Sequence, residues 1–178
     1  MRNNKTRKIV FIALLVAQAI ILNYFESILG LNLGIPGAKL GLANIITLIS
    51  IYTLSYKSSM LIVVTRSILI AAMFGSLYTL VYSLAGGILS LTVMFLLVYL
   101  SKQQISIFAV SILGAISHNI GQLFMASLVI SNVKIFVYLP FLVLIAVPTG
   151  LAIGLTSKGV LKHLVKNNFV FNKRTELK

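Results

Sequence analysis

Long apolar runs alternate with short polar breaks along almost the whole chain. Six runs stand out, at about 8–25, 40–56, 59–74, 77–100, 105–130 and 135–158. A helix that crosses a bilayer needs roughly 17–25 predominantly apolar residues, so the pattern predicts an all-α integral membrane protein with six transmembrane helices. The second and third runs are short and meet at Ser55-Tyr56-Lys57-Ser58. The third and fourth meet at Phe74-Gly75-Ser76. Segment 26–39 holds Gly30, Gly34, Pro36 and Gly37, and reads as an outer turn or re-entrant loop. No inverted internal repeat of the secondary-carrier kind is visible.

Composition agrees with that reading. The 178 residues are 59% hydrophobic and 10% charged, with a mean hydropathy of +1.06. The chain therefore forms a single membrane domain, ending in a basic tail at 159–178. It contains no cysteine, which excludes disulfides and thiolate metal sites. His118 and His163 are far apart, against a haem or zinc site built by this chain alone. The N-terminus resembles a signal peptide, but Gln18 and Asn23 interrupt its apolar run and no clean cleavage site follows. It reads as an uncleaved first helix.

The net charge of +13 sits mainly between the apolar runs, as topology signals do, and does not point to nucleic acid. With the N-terminus inside, all of the 15 lysines and arginines except Lys39, Lys134 and Arg66 fall in inner segments. Both termini are then expected on the cytoplasmic side of the cell membrane. The tail serves as a topology anchor or attracts anionic lipid.

Few residues remain for chemistry, and they are conspicuous. Glu26 is the only acid before position 176. A carboxylate costs about 2.5–3.5 kcal/mol at the centre of a membrane helix and less near its end, so a partner or a ligand is expected. Arg66 lies about eight residues into the third run and must face the protein interior. Together the two form either a structural ion pair or a mixed-charge ligand site. Lys39 lies at the outer side, and Asn44 sits early in the second run and needs a partner. In the fifth run, Ser117-His118-Asn119-Ile120-Gly121-Gln122 is strongly polar, with His118 and Gln122 on one helix face. Interhelical hydrogen bonding and ligand contact both explain it. Tyr78 and Tyr82 are interface anchors or walls of a pocket. Ala13 and Ala17 share a face of the first run, and Gly150 and Gly154 share one of the sixth. Small residues at that spacing permit close helix packing, within the bundle or against a partner.

Absent motifs exclude classes. Without G-x-x-x-x-G-K-[ST] the chain holds no nucleotide in a P-loop. Two acids in the whole chain, one of them in the tail, do not make the Mg²⁺-diphosphate site of a prenyl diphosphate synthase. No Ser-His-Asp or Cys-His arrangement is available. The chain is not expected to be an enzyme by itself.

Three stretches carry a resemblance: Pro36-Gly37-Ala38-Lys39-Leu40-Gly41-Leu42-Ala43-Asn44; Arg66 with Gly75 and Ala85-Gly86-Gly87; and Ser117-His118-Asn119-Ile120-Gly121-Gln122. Over about 8–160 they resemble the Gx transporter family, also labelled heptaprenyl diphosphate synthase component I. That family is similar to the substrate-binding (S) components of energy-coupling factor (ECF) transporters. The resemblance implies a six-helix bundle that captures a vitamin- or cofactor-like molecule near the outer face and docks on one coupling membrane subunit and two ATPases. ATP is used only by those ATPases, and the chain binds no cofactor covalently. It further implies that Ala13 and Ala17 form the Ala-x-x-x-Ala docking motif and that loop 26–39 caps the ligand. Glu26, Lys39, Asn44, Arg66, Tyr78, Tyr82, His118, Asn119 and Gln122 are the candidate ligand contacts. Of these, Arg66, Lys39, His118, Asn119 and Gln122 suit carboxylate, phosphate or quinone-type oxygens beside an apolar or aromatic body, such as a quinone or isoprenoid precursor, with a flavin or another vitamin also open. The alternative is a non-catalytic membrane anchor of a prenyl-transfer or redox enzyme.

Overall fold

A computed structural model describes residues 2–28, 41–101, 104–167 and 169–171. Six α-helices account for most of them: α1 (Arg2–Ile28), α2 (Asn44–Thr53), α3 (Tyr56–Phe74), α4 (Leu77–Leu100), α5 (Ile107–Ile130) and α6 (Leu139–Lys166). A 3₁₀ turn, Val133–Tyr138, leads into α6. Five segments are long and apolar enough to cross a membrane: those of α1, α3, α4 and α5, and the 3₁₀ turn with α6. Large apolar side chains such as Ile9, Leu14, Leu77, Leu144 and Leu155 point outward, as a lipid-facing surface requires. The protein is a multi-pass helical membrane protein.

The second apolar run departs from expectation. Of 40–56, ten residues are helical, about 15 Å of rise against a hydrocarbon core of about 30 Å. Every residue of α2 is buried. Its sequence explains both facts. Ile45, Ile46, Thr47, Ile49, Ile51 and Thr53 are β-branched and weaken helix propagation, while their apolar surface has to be covered on all sides. The chain leaves the helix at Leu54, which is extended, and Ser55 begins α3 from an extended conformation. Leu48, Ile49, Leu54, Ile62, Val63, Leu91, Met94 and Ile153 form the core around α2.

Other boundaries move less. The first helix begins at Arg2 rather than near 8, because basic residues are good helix formers, and it carries Glu26 within it instead of releasing it to a loop. Residues 29–40, most of the expected outer loop, lie outside the described residues, and so does Lys39. The Arg7 guanidinium donates to the Asn167 carbonyl at 3.2 Å and stacks 4.3 Å over the Phe169 ring. The start of α1 and the end of α6 therefore share one end of the bundle. At the other end, the rings of Tyr24 and Phe74 are 5.2 Å apart, tying α1 to α3.

Glycines set the closest helix approach. A Cβ on Gly121 of α5 would lie 2.8 Å from the Ala85 carbonyl oxygen and 2.9 Å from the Gly86 Cα of α4. Gly150 and Gly154 of α6 pack against Ile112 and Phe108 of α5, so this pair serves packing within the bundle. Gly121→Val is expected to lower stability by about 1–3 kcal/mol or more, since backbone has to move. Gly159 has nothing within 4 Å of its position, and Gly159→Ala should instead raise stability by up to about 1 kcal/mol. Thermal unfolding in detergent reads both, and equal effects would contradict the packing.

Candidate functional site

The turn before α2 is held from two sides. Glu26, from α1, accepts the Gly41 N–H at 2.8 Å through Oε1 and the Leu42 N–H at 3.1 Å through Oε2. Arg66, from the middle of α3, donates through Nη1 to the Ala43 carbonyl at 2.5 Å. Both charged side chains are buried. The hydrogen bonds of both go to one backbone turn, and their opposite charges attract across it.

This arrangement solves a local problem. The first N–H groups of a helix lack intrahelical partners, and Ala43 at the N-cap has no side chain to supply one. The carbonyls of Gly41, Leu42 and Ala43 take the first N–H groups of α2 instead, and Glu26, from another helix, holds that turn by accepting the N–H groups of Gly41 and Leu42. Its charge also suits the positive end of the α2 dipole, an effect of roughly 0.3–1 kcal/mol at exposed sites and up to about 2 where partly buried. Gly41 is required on two counts. Its φ is +80°, and a Cβ there would lie 2.9 Å from Asn44 Nδ2.

Around the turn lies a cavity lined by Asn23, Glu26, Gly41, Ala43, Asn44, Arg66, Ser67, Ile70, Ser83, His118 and Gln122. Its volume is about 20 Å³, on the order of one water. Asn44 and Gln122 are each 2% exposed. Neither amide atom of Asn44, nor Oε1 of Gln122, has a hydrogen-bond partner among the described residues. Leaving a buried polar group without a partner costs about 1–3 kcal/mol, so these two side chains stand out chemically. Gly86 lets α5 close over the cavity: its Cβ position would be 2.8 Å from the His118 carbonyl oxygen and 3.0 Å from His118 Cε1.

Five of the nine candidate ligand contacts thus meet at one cavity: Glu26, Asn44, Arg66, His118 and Gln122. Others have different surroundings. Asn119 donates to the Leu142 carbonyl at 3.3 Å and links α5 to α6. Tyr82 is buried in a second apolar cluster with Leu123, Ala126, Ile135 and Leu142. Tyr78 is 62% exposed, as an interface anchor is. Ala13 and Ala17 are both exposed on α1. Sequence reading passed over Asn23, Ser67 and Ser83 as cavity residues. Asn23 carried a signal, since it lies one turn before Glu26 on the same helical face. Single serines beside Arg66 and Tyr82 carried none. Among the described residues no cluster of three or more His, Asp or Glu side chains is placed to hold a metal ion.

The family model described as Heptaprenyl diphosphate synthase component I matches residues 15–160, and the chain belongs to that family. No curated protein and no solved structure gives a match.

The shared turn makes the two charges interdependent. Arg66→Met should destabilise the protein by about 3–5 kcal/mol, because Glu26 is left buried without its counter-charge. Adding Glu26→Gln should recover part of that loss, a coupling that a double-mutant cycle on the detergent-solubilised protein would measure. Strict additivity would mean that the two side chains act independently.

Proposed function

We propose, from its membership of the heptaprenyl diphosphate synthase component I family, that the chain is a non-catalytic membrane subunit that captures a small molecule. In this reading it is the substrate-binding component of an ECF-type uptake transporter. It takes a vitamin- or cofactor-like molecule, with a quinone or isoprenoid precursor as the leading class, from the outer face. A coupling membrane subunit and two partner ATPases supply the energy. The termini are cytoplasmic, in line with the distribution of basic residues.

The observation that carries the reading is the buried polar cavity in which Asn44 and Gln122 have amide atoms without partners. A purely structural anchor has no use for such groups, which a ligand would satisfy. Two further points support it. The chain has neither a P-loop nor enough carboxylates for diphosphate chemistry. The Ala13–Ala17 face of α1 is exposed, and small residues on an open face permit close approach of a partner helix.

The family description favours a second reading, a non-catalytic subunit that anchors a prenyl diphosphate synthase. Purification of the tagged protein from its native membranes in mild detergent, with partners identified by mass spectrometry, separates the two. Recovery of a coupling subunit with two ATPases is expected. Recovery of a prenyl synthase without ATPases would overturn the uptake reading. In addition, Ala17→Trp should abolish uptake and spare ligand binding. Loss of binding with intact uptake machinery would mean that Ala17 supports the cavity instead.

A further inference from the structure

We infer that the turn leading into α2 is a carboxylate site which Glu26 fills here, and that the ligand carries a carboxylate which takes the place of Glu26. The inference deepens the reading of the cavity as a ligand site and rests on it.

The geometry is that of bound carboxylate. Each oxygen of Glu26 takes one N–H from consecutive residues, Gly41 and Leu42, in the turn just before the positive end of a ten-residue helix. Arg66 stands beside the same turn. Its bond to Ala43 uses one of the five N–H donors of a guanidinium. A second, independent observation points to a ligand. Asn44, the first residue of α2, lines the cavity at 2% exposure with both amide atoms unpartnered, and Gln122 Oε1 lines it in the same condition. These groups offer donor and acceptor capacity next to the carboxylate position, for the rest of a polar ligand head.

Size and charge then decide what such a ligand must displace. The cavity has room for about one water, so a larger molecule enters only if a lining group leaves. Among the described residues that line it, Glu26 is the only anionic one. Exchange of one carboxylate for another conserves the charge balance against Arg66. A neutral ligand that expelled Glu26 would leave Arg66 buried without an anion, which is strongly unfavourable. A phosphate monoester, with a charge of about −1.5 to −2, would leave excess negative charge.

Rescue by a small carboxylate tests this directly. Glu26→Ala should lower the Tm of the protein in nanodiscs. Sodium acetate should restore part of the loss, whereas sodium chloride and sodium phosphate at matched ionic strength should not. The wild type, its site already filled, should not respond to acetate. Glu26→Gln keeps the side-chain volume, so it should be destabilised but not rescued. If Glu26→Ala folds poorly, extraction in acetate rather than chloride gives the same answer through the yield of monodisperse protein. Equal responses to acetate and chloride, or no response to either, would overturn the inference. That failure is distinct from failure of the uptake reading: a site for a neutral ligand would leave acetate without effect while the ATPases still co-purified.

Discussion

A short helix buried in a membrane bundle needs partners for its end groups, and the rest of this structure is arranged to provide them for α2. A bilayer core offers no water to satisfy free N–H and C=O groups, each of which costs several kcal/mol when left alone. Helices that cross completely place their ends in the headgroup region. With about 15 Å of rise, α2 cannot. Its first N–H groups go instead to the carbonyls of the turn at 41–43, and distant segments hold that turn and the opposite end of the helix. Glu26 of α1 and Arg66 of α3 hold the turn at 41–43. At the other end, the Phe171 N–H donates to the Thr53 carbonyl at 2.8 Å.

The same constraint explains why charged residues occur in so apolar a chain. Buried ion pairs are weak sources of stability, because desolvation offsets their attraction. Here each charge also bonds the backbone of the turn before α2: Glu26 accepts from the Gly41 and Leu42 N–H groups, and Arg66 donates to the Ala43 carbonyl, which the Ile46 and Thr47 N–H groups share. The tail is fixed by a similar logic at the opposite end. Phe169 and Phe171 pack on Phe11, which brings the Phe171 N–H to α2. Fold and candidate site are thus one construction: the side chains that hold the helix end also line the cavity.

Much of this was legible in the sequence, for physical reasons. Long apolar runs gave α3 and α4 nearly to the residue, because length and hydropathy decide whether a helix crosses. Glu26 and Arg66 stood out because buried charge is expensive enough to require a reason. The true length of α2 was not legible. Run 40–56 has the composition of a span, and only the folded chain shows that its helix is confined to Asn44–Thr53 and wholly buried. Tyr82 shows a second limit. Its spacing from Tyr78 fits a pocket wall and a core residue equally well, and only packing against Leu123 and Leu142 distinguishes them. The role of Asn119 as a link to α6 likewise depends on where the Leu142 carbonyl lies.

Glu26 seals the turn that leads into α2 inside the bundle. Hydrogen–deuterium exchange of the protein in nanodiscs, resolved to residues 41–53, tests it most directly. The Gly41 and Leu42 amides should exchange as slowly as those in the middle of α2, such as Leu48 and Ile49. Exchange of Gly41 and Leu42 at the rate of an open loop, with Leu48 and Ile49 still protected, would contradict it.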